Sequence, residues 1–199
     1  MDVPRIVSRR STVLSPYVTL LTKEVCFREG GPVEVYHSVT QPDYVSILAI
    51  TEDHLVPIVR QYRPAVEAYT WEFPAGSVDA GEDPRACAER ELFEEAGMRV
   101  DEIHSLGAYF PDTGRLSVGS TAFFARGRRD DEAVPESGIH VRFVTLANLA
   151  GMVRSGEFRH QLHVAVIASA FLHGHISYND LVLSGPSQVA ASPPGHTRP

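Results

Sequence analysis

The sequence predicts an α+β fold: an N-terminal β unit, then a sheet interrupted by one acidic helix, then two terminal helices. Three observations carry this reading. β-Branched and aromatic residues crowd short segments that alternate with Gly-, Pro- and Asp-bearing turns. The segment 84–96 opens on Asp83-Pro84 and closes on Gly97, the start and stop signals of a helix. A length of 199 residues, 43% hydrophobic and 22% charged, suits one soluble domain with a small appendage.

The elements follow in order. Residues 1–15 are polar and basic and are expected to be loosely held. Strands are expected at 17–27 and 33–39, joined by the hairpin turn Glu29-Gly30-Gly31-Pro32, then at 44–50 and 55–62 around Thr51-Glu52-Asp53-His54. A short strand, 69–73, leads into Pro74-Ala75-Gly76. On the helix that follows, Ala88, Leu92 and Ala96 form an apolar stripe and leave an acidic face free. Strands at 103–109, 120–126 and 140–145 come next, with a charged loop, 127–138, between the last two. Helices are expected at 146–155 and 158–173. The resulting division is an N-terminal β unit over 1–42, a main domain over 43–184, and a Pro/Ser/Ala-rich disordered tail over 185–199.

Function is concentrated between Gly76 and Met98. Glu91, Glu94 and Glu95 fall at i, i+3 and i+4, so a helix sets three like charges on one surface. A sequence shaped for helix stability alone would not gather them there. A divalent cation offsets that repulsion, and carboxylate oxygens suit Mg²⁺ or Mn²⁺. The bland alternative for an isolated E-x-x-E-E is a solvated acidic face.

The surrounding spacing separates the two readings. Gly76, five residues, Glu82, seven residues, Arg90-Glu91-Leu92, one residue, Glu94-Glu95, one residue, Gly97-Met98 resembles a complete Nudix box. The resemblance implies the Nudix fold, a mixed sheet sandwiched between helices. It also implies a hydrolase that splits a nucleoside diphosphate linked to a further group. In that reading Glu91, Glu94 and Glu95 hold Mg²⁺, with Mn²⁺ as a substitute, and the backbone carbonyl of Ala75 adds an oxygen ligand. Glu94 and Glu95 thereby become catalytic. The cation neutralises the diphosphate and lowers the pKa of bound water. Glu82 and Arg90 brace loop against helix, while Gly76 and Gly97 allow backbone conformations other residues resist.

The flanks narrow the substrate. R-Q-Y-R-P…W-E-F-P-A-G, from Arg60 to Gly76, is similar to the segment before the box in ADP-ribose pyrophosphatases and related ADP-sugar hydrolases. It implies Arg63 as a phosphate contact, by the match of a guanidinium fork to phosphate oxygens, and Glu72 as a residue that faces the site and helps hold substrate or water, with a structural role as the alternative. Arg60 is a second phosphate candidate or a surface strand residue. Y-F-P-D-T-G-R-L-S, from Tyr109 to Ser117, resembles a loop of the same subgroup and makes Arg115 a phosphate or ribose contact. The subgroup's catalytic base maps best to Glu136, ahead of Glu132, Asp130 and Asp131. An aromatic residue from the N-terminal unit usually stacks the adenine, and Tyr17 stands near that place; Trp71 reads as core. The implied reaction is Mg²⁺-dependent hydrolysis of ADP-ribose, or a related ADP-sugar, to AMP and a sugar phosphate. The alternatives are a UDP- or GDP-sugar pyrophosphatase, or a non-catalytic sensor, although sensors tend to lose acids that this box retains.

The rest of the chain bounds these readings. A net charge of −7 argues against nucleic-acid and anionic-membrane partners. Two cysteines without a C-x-x-C motif, and a start lacking a signal-like apolar core, point to the cytoplasm. Residues 1–42 are expected to serve dimerisation and base binding in a homodimer, a family-level expectation. Cys87 reads as a packing residue. His160 and His163 share a helix face with no third ligand in view, so satisfied or exposed histidines are expected there.

Overall fold

The computed structural model describes residues 3–182. Its elements are strands β1 (Arg5–Ser15), β2 (Val18–Cys26), β3 (Val33–Thr40), β4 (Tyr44–Thr51), β5 (Leu55–Arg63), β6 (Ala68–Glu72) and β7 (Ala75–Ser77), helix α1 (Pro84–Ala96), strands β8 (Met98–Tyr109), β9 (Ser120–Arg129) and β10 (His140–Thr145), and helices α2 (Leu146–Ser155), α3 (Gln161–Leu172) and α4 (Tyr178–Leu181). The described residues divide into two compact units, 3–43 with 108–120, and 44–107 with 121–182. The tail expected at 185–199 lies outside the described residues.

In the first unit, β1, β2 and β3 form an antiparallel sheet in that order. The β2–β3 hairpin turns through Gly30, at φ 67°, and the Gly31 N–H donates to Arg28 O at 3.0 Å. Segment 108–120 adds to the edge of β3, where Val39 N–H donates to Arg115 O at 2.8 Å and Ser117 N–H to Val39 O at 2.9 Å. Residues 5–15, expected to be loose, are a strand. Their side chains are exposed on both faces, so no alternation betrays them, and pairing to β2 rests on backbone hydrogen bonds that any side chain permits. Across the three strands only Cys26 is buried, while Val7, Val13, Leu14, Val33, Val35 and Tyr36 stay exposed.

The second unit holds a four-stranded sheet, β7-β4-β9-β8, and a three-stranded antiparallel sheet, β10-β5-β6. Alternation along β4 divides the core. Val45, Ile47 and Ala49 pack with Cys87, Ala88, Leu92 and Ala96 of α1. Leu48 and Ile50 join Leu149 and Met152 of α2 and Val166, Ile167 and Ala170 of α3. The α+β class is as expected. Among the described residues no helix is long and apolar enough to cross a membrane.

Helix α1 begins and ends where its signals place it. The Asp83 carboxylate accepts from Arg85 N–H at 2.9 Å and Ala86 N–H at 3.3 Å, and Gly97 is left-handed at φ 60°. Asp83→Ala is expected to destabilise the protein by about 1 kcal/mol, the worth of an N-cap, read from urea unfolding midpoints at unchanged slope. Three boundaries differ most from expectation. β8 starts at Met98, directly after the Gly97 stop, where a strand was expected only from 103. α3 starts at Gln161 because Phe158 is spent in the core, against Phe73. β9 runs through Gly127 to Arg129, shortening the charged loop.

Candidate active site

The site is built on the β7 segment and α1. Antiparallel pairing of Val45 with Gly76 and Ser46 with Ala75 fixes the segment to β4. The Ala75 N–H then donates to Glu95 Oε2 at 2.9 Å, tying loop to helix. Gly76 faces Glu91 so closely that a Cβ there would overlap the Glu91 carboxylate. Glycine is required by close approach at this position, not by its backbone angles.

Arg90 is the hub of the loop–helix brace. Its Nε and Nη2 donate to the two Glu82 oxygens, each at 3.0 Å, and Nη2 reaches Ser77 O at 3.4 Å. Its Nη1 donates to Glu91 Oε1 at 2.7 Å and Glu94 Oε2 at 3.1 Å. The Arg90 fork and the Asp79 N–H hold the Glu82 carboxyl down at about 2. Burial pushes the Cys87 thiol up to about 12, helped by the Glu82 charge, so it packs as an inert thiol.

Glu95 is buried, at 4% exposure, and burial pushes its carboxyl up to about 8. The Glu91 and Glu136 charges add to that rise, while the Ala75 N–H and Arg63 oppose it. Glu91 is also raised, first by burial and then by Glu94 and Glu136, against the pull of Arg90. Glu136 is brought to these acids by its loop. Glu136 N–H donates to Glu94 O at 3.0 Å, Asp130 N–H donates to Gly97 O at 2.8 Å, and Arg99 Nε donates to Asp130 Oδ2 at 2.7 Å. Partly buried carboxylates that raise one another are a hard-oxygen donor set that a divalent cation fits and relieves.

Arg63 and Glu72 meet as a fork. Nε to Oε1 is 2.9 Å and Nη2 to Oε2 is 2.6 Å, with Glu72 fully buried and the Arg63 side chain 42% exposed. The Thr70 hydroxyl donates to Glu72 Oε1. Thr70 went unremarked in the sequence, though period-2 alternation puts it on the Glu72 face of β6. The Glu72 fork raises the Arg63 guanidinium pKa against burial, and the Glu95 charge adds to the rise. Arg60 lies on the opposite face of β5, over the Tyr69 ring at 4.8 Å. Tyr17 and Arg115 belong to the first unit. Tyr17 is 74% exposed in the β1–β2 turn, and Arg115 is exposed beside Asp112 at 3.6 Å.

Glu72 is the third group that the His160–His163 pair lacked in sequence. One ligand atom from each of the three lies within 4.8 Å of the others. The geometry nevertheless opposes a metal ion. The imidazoles stack at 3.9 Å and 23°, and lone pairs in two nearly parallel ring planes do not converge on one ion. His163 Nδ1 accepts the Phe73 N–H at 2.9 Å, and both Glu72 oxygens are held by Arg63. Burial, then the His160 charge, drives His163 down to about 3, so it is a neutral core histidine. His160 is also lowered, first by burial, and its Nδ1 is buried without a hydrogen-bond partner among the described residues.

Known proteins resemble this chain in sequence and in fold. The chain is 38% identical over 98 residues to the methanol dehydrogenase activator of Bacillus methanolicus, a match that covers 49% of the chain and only 53% of that relative. It is 34% identical over 132 residues to the ADP-ribose pyrophosphatase of Bacillus subtilis, covering 64% of the chain and 71% of the relative. The crystal structure of an ADP compounds hydrolase has the same fold, with TM-score 0.71 at 22% identity, over 86% of this chain and 95% of that one. The NUDIX domain model matches residues 40–162, and the chain belongs to that family.

Proposed function

We propose that this protein hydrolyses the diphosphate of ADP-ribose, or a related ADP-sugar, to AMP and a sugar phosphate in the presence of Mg²⁺, with Mn²⁺ as a substitute. The observation that carries the reading is the raised, buried Glu95 carboxyl, tied to Ala75 N–H beside Glu91, Glu136 and Arg63. A similar relative named as an ADP-ribose pyrophosphatase supports the choice of substrate.

In this reading Glu91, Glu94, Glu95 and the Ala75 carbonyl would hold the cation, which when bound would supply charge neutralisation and Lewis acidity at the diphosphate. Arg63 spends Nε and Nη2 on Glu72 and orients the diphosphate with what remains of its fork. Glu136 accepts the proton of the attacking water. The new P–O bond forms as the anhydride P–O bond breaks, and the leaving phosphate departs with the bridging oxygen. Glu82 and Arg90 keep the loop in place, with Gly76 and Gly97 supplying clearance and turn. Tyr17 stacks on the base and Arg115 reaches ribose or phosphate. AMP release from a panel of nucleotide sugars tests the reading: ADP-ribose is turned over fastest, and release of UMP or GMP in preference to AMP would reassign the base.

The same proposal assigns 1–42 to dimerisation and base binding and 43–184 to hydrolysis, in a cytoplasmic homodimer with no nucleic-acid or membrane partner. Free thiols at Cys26 and Cys87 suit a reducing compartment. A three-stranded sheet that buries only Cys26 and exposes Val33, Val35 and Tyr36 suits a partner surface. Light scattering is expected to give twice the 21.9 kDa chain mass, and Val35→Glu is expected to shift the protein toward monomer.

A further inference from the structure

The loop that carries Glu136 is fastened to helix α1 through its backbone. A helix ends with carbonyls that have no partner inside it. Glu136 N–H donates to one of them, Glu94 O, at 3.0 Å, and Asp130 N–H donates to Gly97 O, just past the helix, at 2.8 Å. Asp130 does more. Its Oδ1 accepts Glu132 N–H at 3.1 Å and its carbonyl accepts Ala133 N–H at 3.0 Å, so one residue shapes the first turn of the loop. That turn packs the Ala133 methyl on Gly97, 3.0 Å from where a Cβ there would stand. At the far side, Ile139 N–H donates to Glu136 O at 3.2 Å and closes a second turn around Glu136.

Arg99, the second residue of β8, secures the first anchor. Its Nε donates to Asp130 Oδ2 at 2.7 Å, and its guanidinium lies over the Phe93 ring of α1, 4.7 Å from the centroid. An exposed ion pair alone contributes little, and the Arg99 side chain is 56% exposed. The place of this pair is what gives it weight. Phe93 and Glu94 of α1, with Val134 and Glu136 of the loop, bound one cavity of about 440 Å³. Arg99 therefore joins the helix wall of that space to the loop that forms the other wall. A proton acceptor works only within hydrogen-bond reach of the proton it takes, and a displacement of about 1 Å can cost about 10²-fold in rate. We infer that Arg99 and Asp130 are positioning residues that act through Glu136, fixing its loop to helix α1 so that its carboxylate is held at one place against the acids of that helix. The inference rests on the hydrolase reading, with Glu136 as proton acceptor.

The test measures kcat and KM for ADP-ribose, in Mg²⁺, for the full chain, Arg99→Gln, Arg99→Lys and Asp130→Asn, each with Glu136 intact and with Glu136→Gln. Arg99→Gln and Asp130→Asn are each expected to lower kcat about tenfold and leave KM within about twofold. Arg99→Lys is expected to recover part of the loss, since an ammonium keeps the charge without the flat contact on Phe93. In the Glu136→Gln chain, Arg99→Gln is expected to change kcat by less than about twofold, because the group it positions is gone. Amide hydrogen exchange adds a readout independent of activity: the Asp130 and Glu136 N–H groups exchange faster in Arg99→Gln, and the Ala75 N–H does not. Unchanged exchange at Asp130 and Glu136 overturns the inference. So does an equal loss of kcat in both backgrounds, or a loss that tracks a fall in Tm, since either makes Arg99 structural. A Glu136→Gln chain as active as the parent overturns it too, because nothing is left for the pair to position. Absence of hydrolysis by the parent removes the hydrolase reading instead, and hydrogen exchange then judges the anchoring by itself.

Discussion

Glu95→Gln is expected to lower kcat for ADP-ribose by at least about 10²–10³-fold and, in metal-free buffer above neutrality, to make the protein more stable. The two effects have one cause. Burial, reinforced by Glu91 and Glu136, pushes the folded-state carboxyl to about 8 from an ordinary 4.5. A carboxyl raised by folding contributes stability that is complete below its unfolded pKa and is lost as pH rises through the folded one. The metal-free parent therefore loses stability between about pH 4.5 and 8, and the uncharged glutamine does not. Metal reverses the order, because a cation binds the deprotonated carboxylate and displaces its proton. Calorimetric titration of the parent should show Mg²⁺ affinity rising with pH to a plateau above about 8, with proton uptake by the buffer. A Tm gap between parent and variant that stays constant from pH 5 to 8.5 would remove Glu95 from the role assigned to it.

How much of this was legible in the sequence depends on the range of the interaction. Helix α1, its Asp83 cap, its Gly97 stop and the Glu82–Arg90 brace are set by residues within fifteen positions of one another, and spacing alone exposes them. The need for Gly76 shows in the motif, but its reason does not: Glu91 comes against it only once β4 pins the β7 segment. Longer-range facts were out of reach. His163 is satisfied by a backbone N–H ninety residues away, and Glu72 reaches the histidine pair only through the packing of α3. Strand β1 was missed because polar and apolar residues alike are exposed on both of its faces and carry no period. Arg63 shows a different limit. Its type matches a phosphate ligand, and nothing local says that two of its nitrogens are committed to Glu72.

That commitment sets the second large effect, which is asymmetric. Arg63→Met, of similar length and without charge, is expected to destabilise the protein by about 3 kcal/mol, the lower end of the cost of breaking a buried ion pair. It leaves Glu72, fully buried, with only the Thr70 hydroxyl. Glu72→Gln is expected to cost less, because the Arg63 side chain is 42% exposed and can return to water. pH separates the two. In the parent, burial raises the Glu72 carboxyl, but the Arg63 fork and Thr70 outweigh it and the net pKa is below 4.5. The parent therefore gains from Glu72 above pH 4.5 and loses that gain only as pH falls through the depressed value. In Arg63→Met burial is largely unopposed and the pKa moves above 4.5, so Glu72 favours folding only while protonated. The deficit of the variant should be small at pH 4–5 and widen toward pH 7, whereas Glu72→Gln should show a weaker pH dependence of opposite origin, since it removes the titrating group. Urea unfolding at four pH values distinguishes them. A deficit for Arg63→Met that does not grow with pH would mean that Glu72 is solvated once its partner is gone, and that the fork serves to hold the guanidinium beside Glu95 more than to neutralise a buried charge.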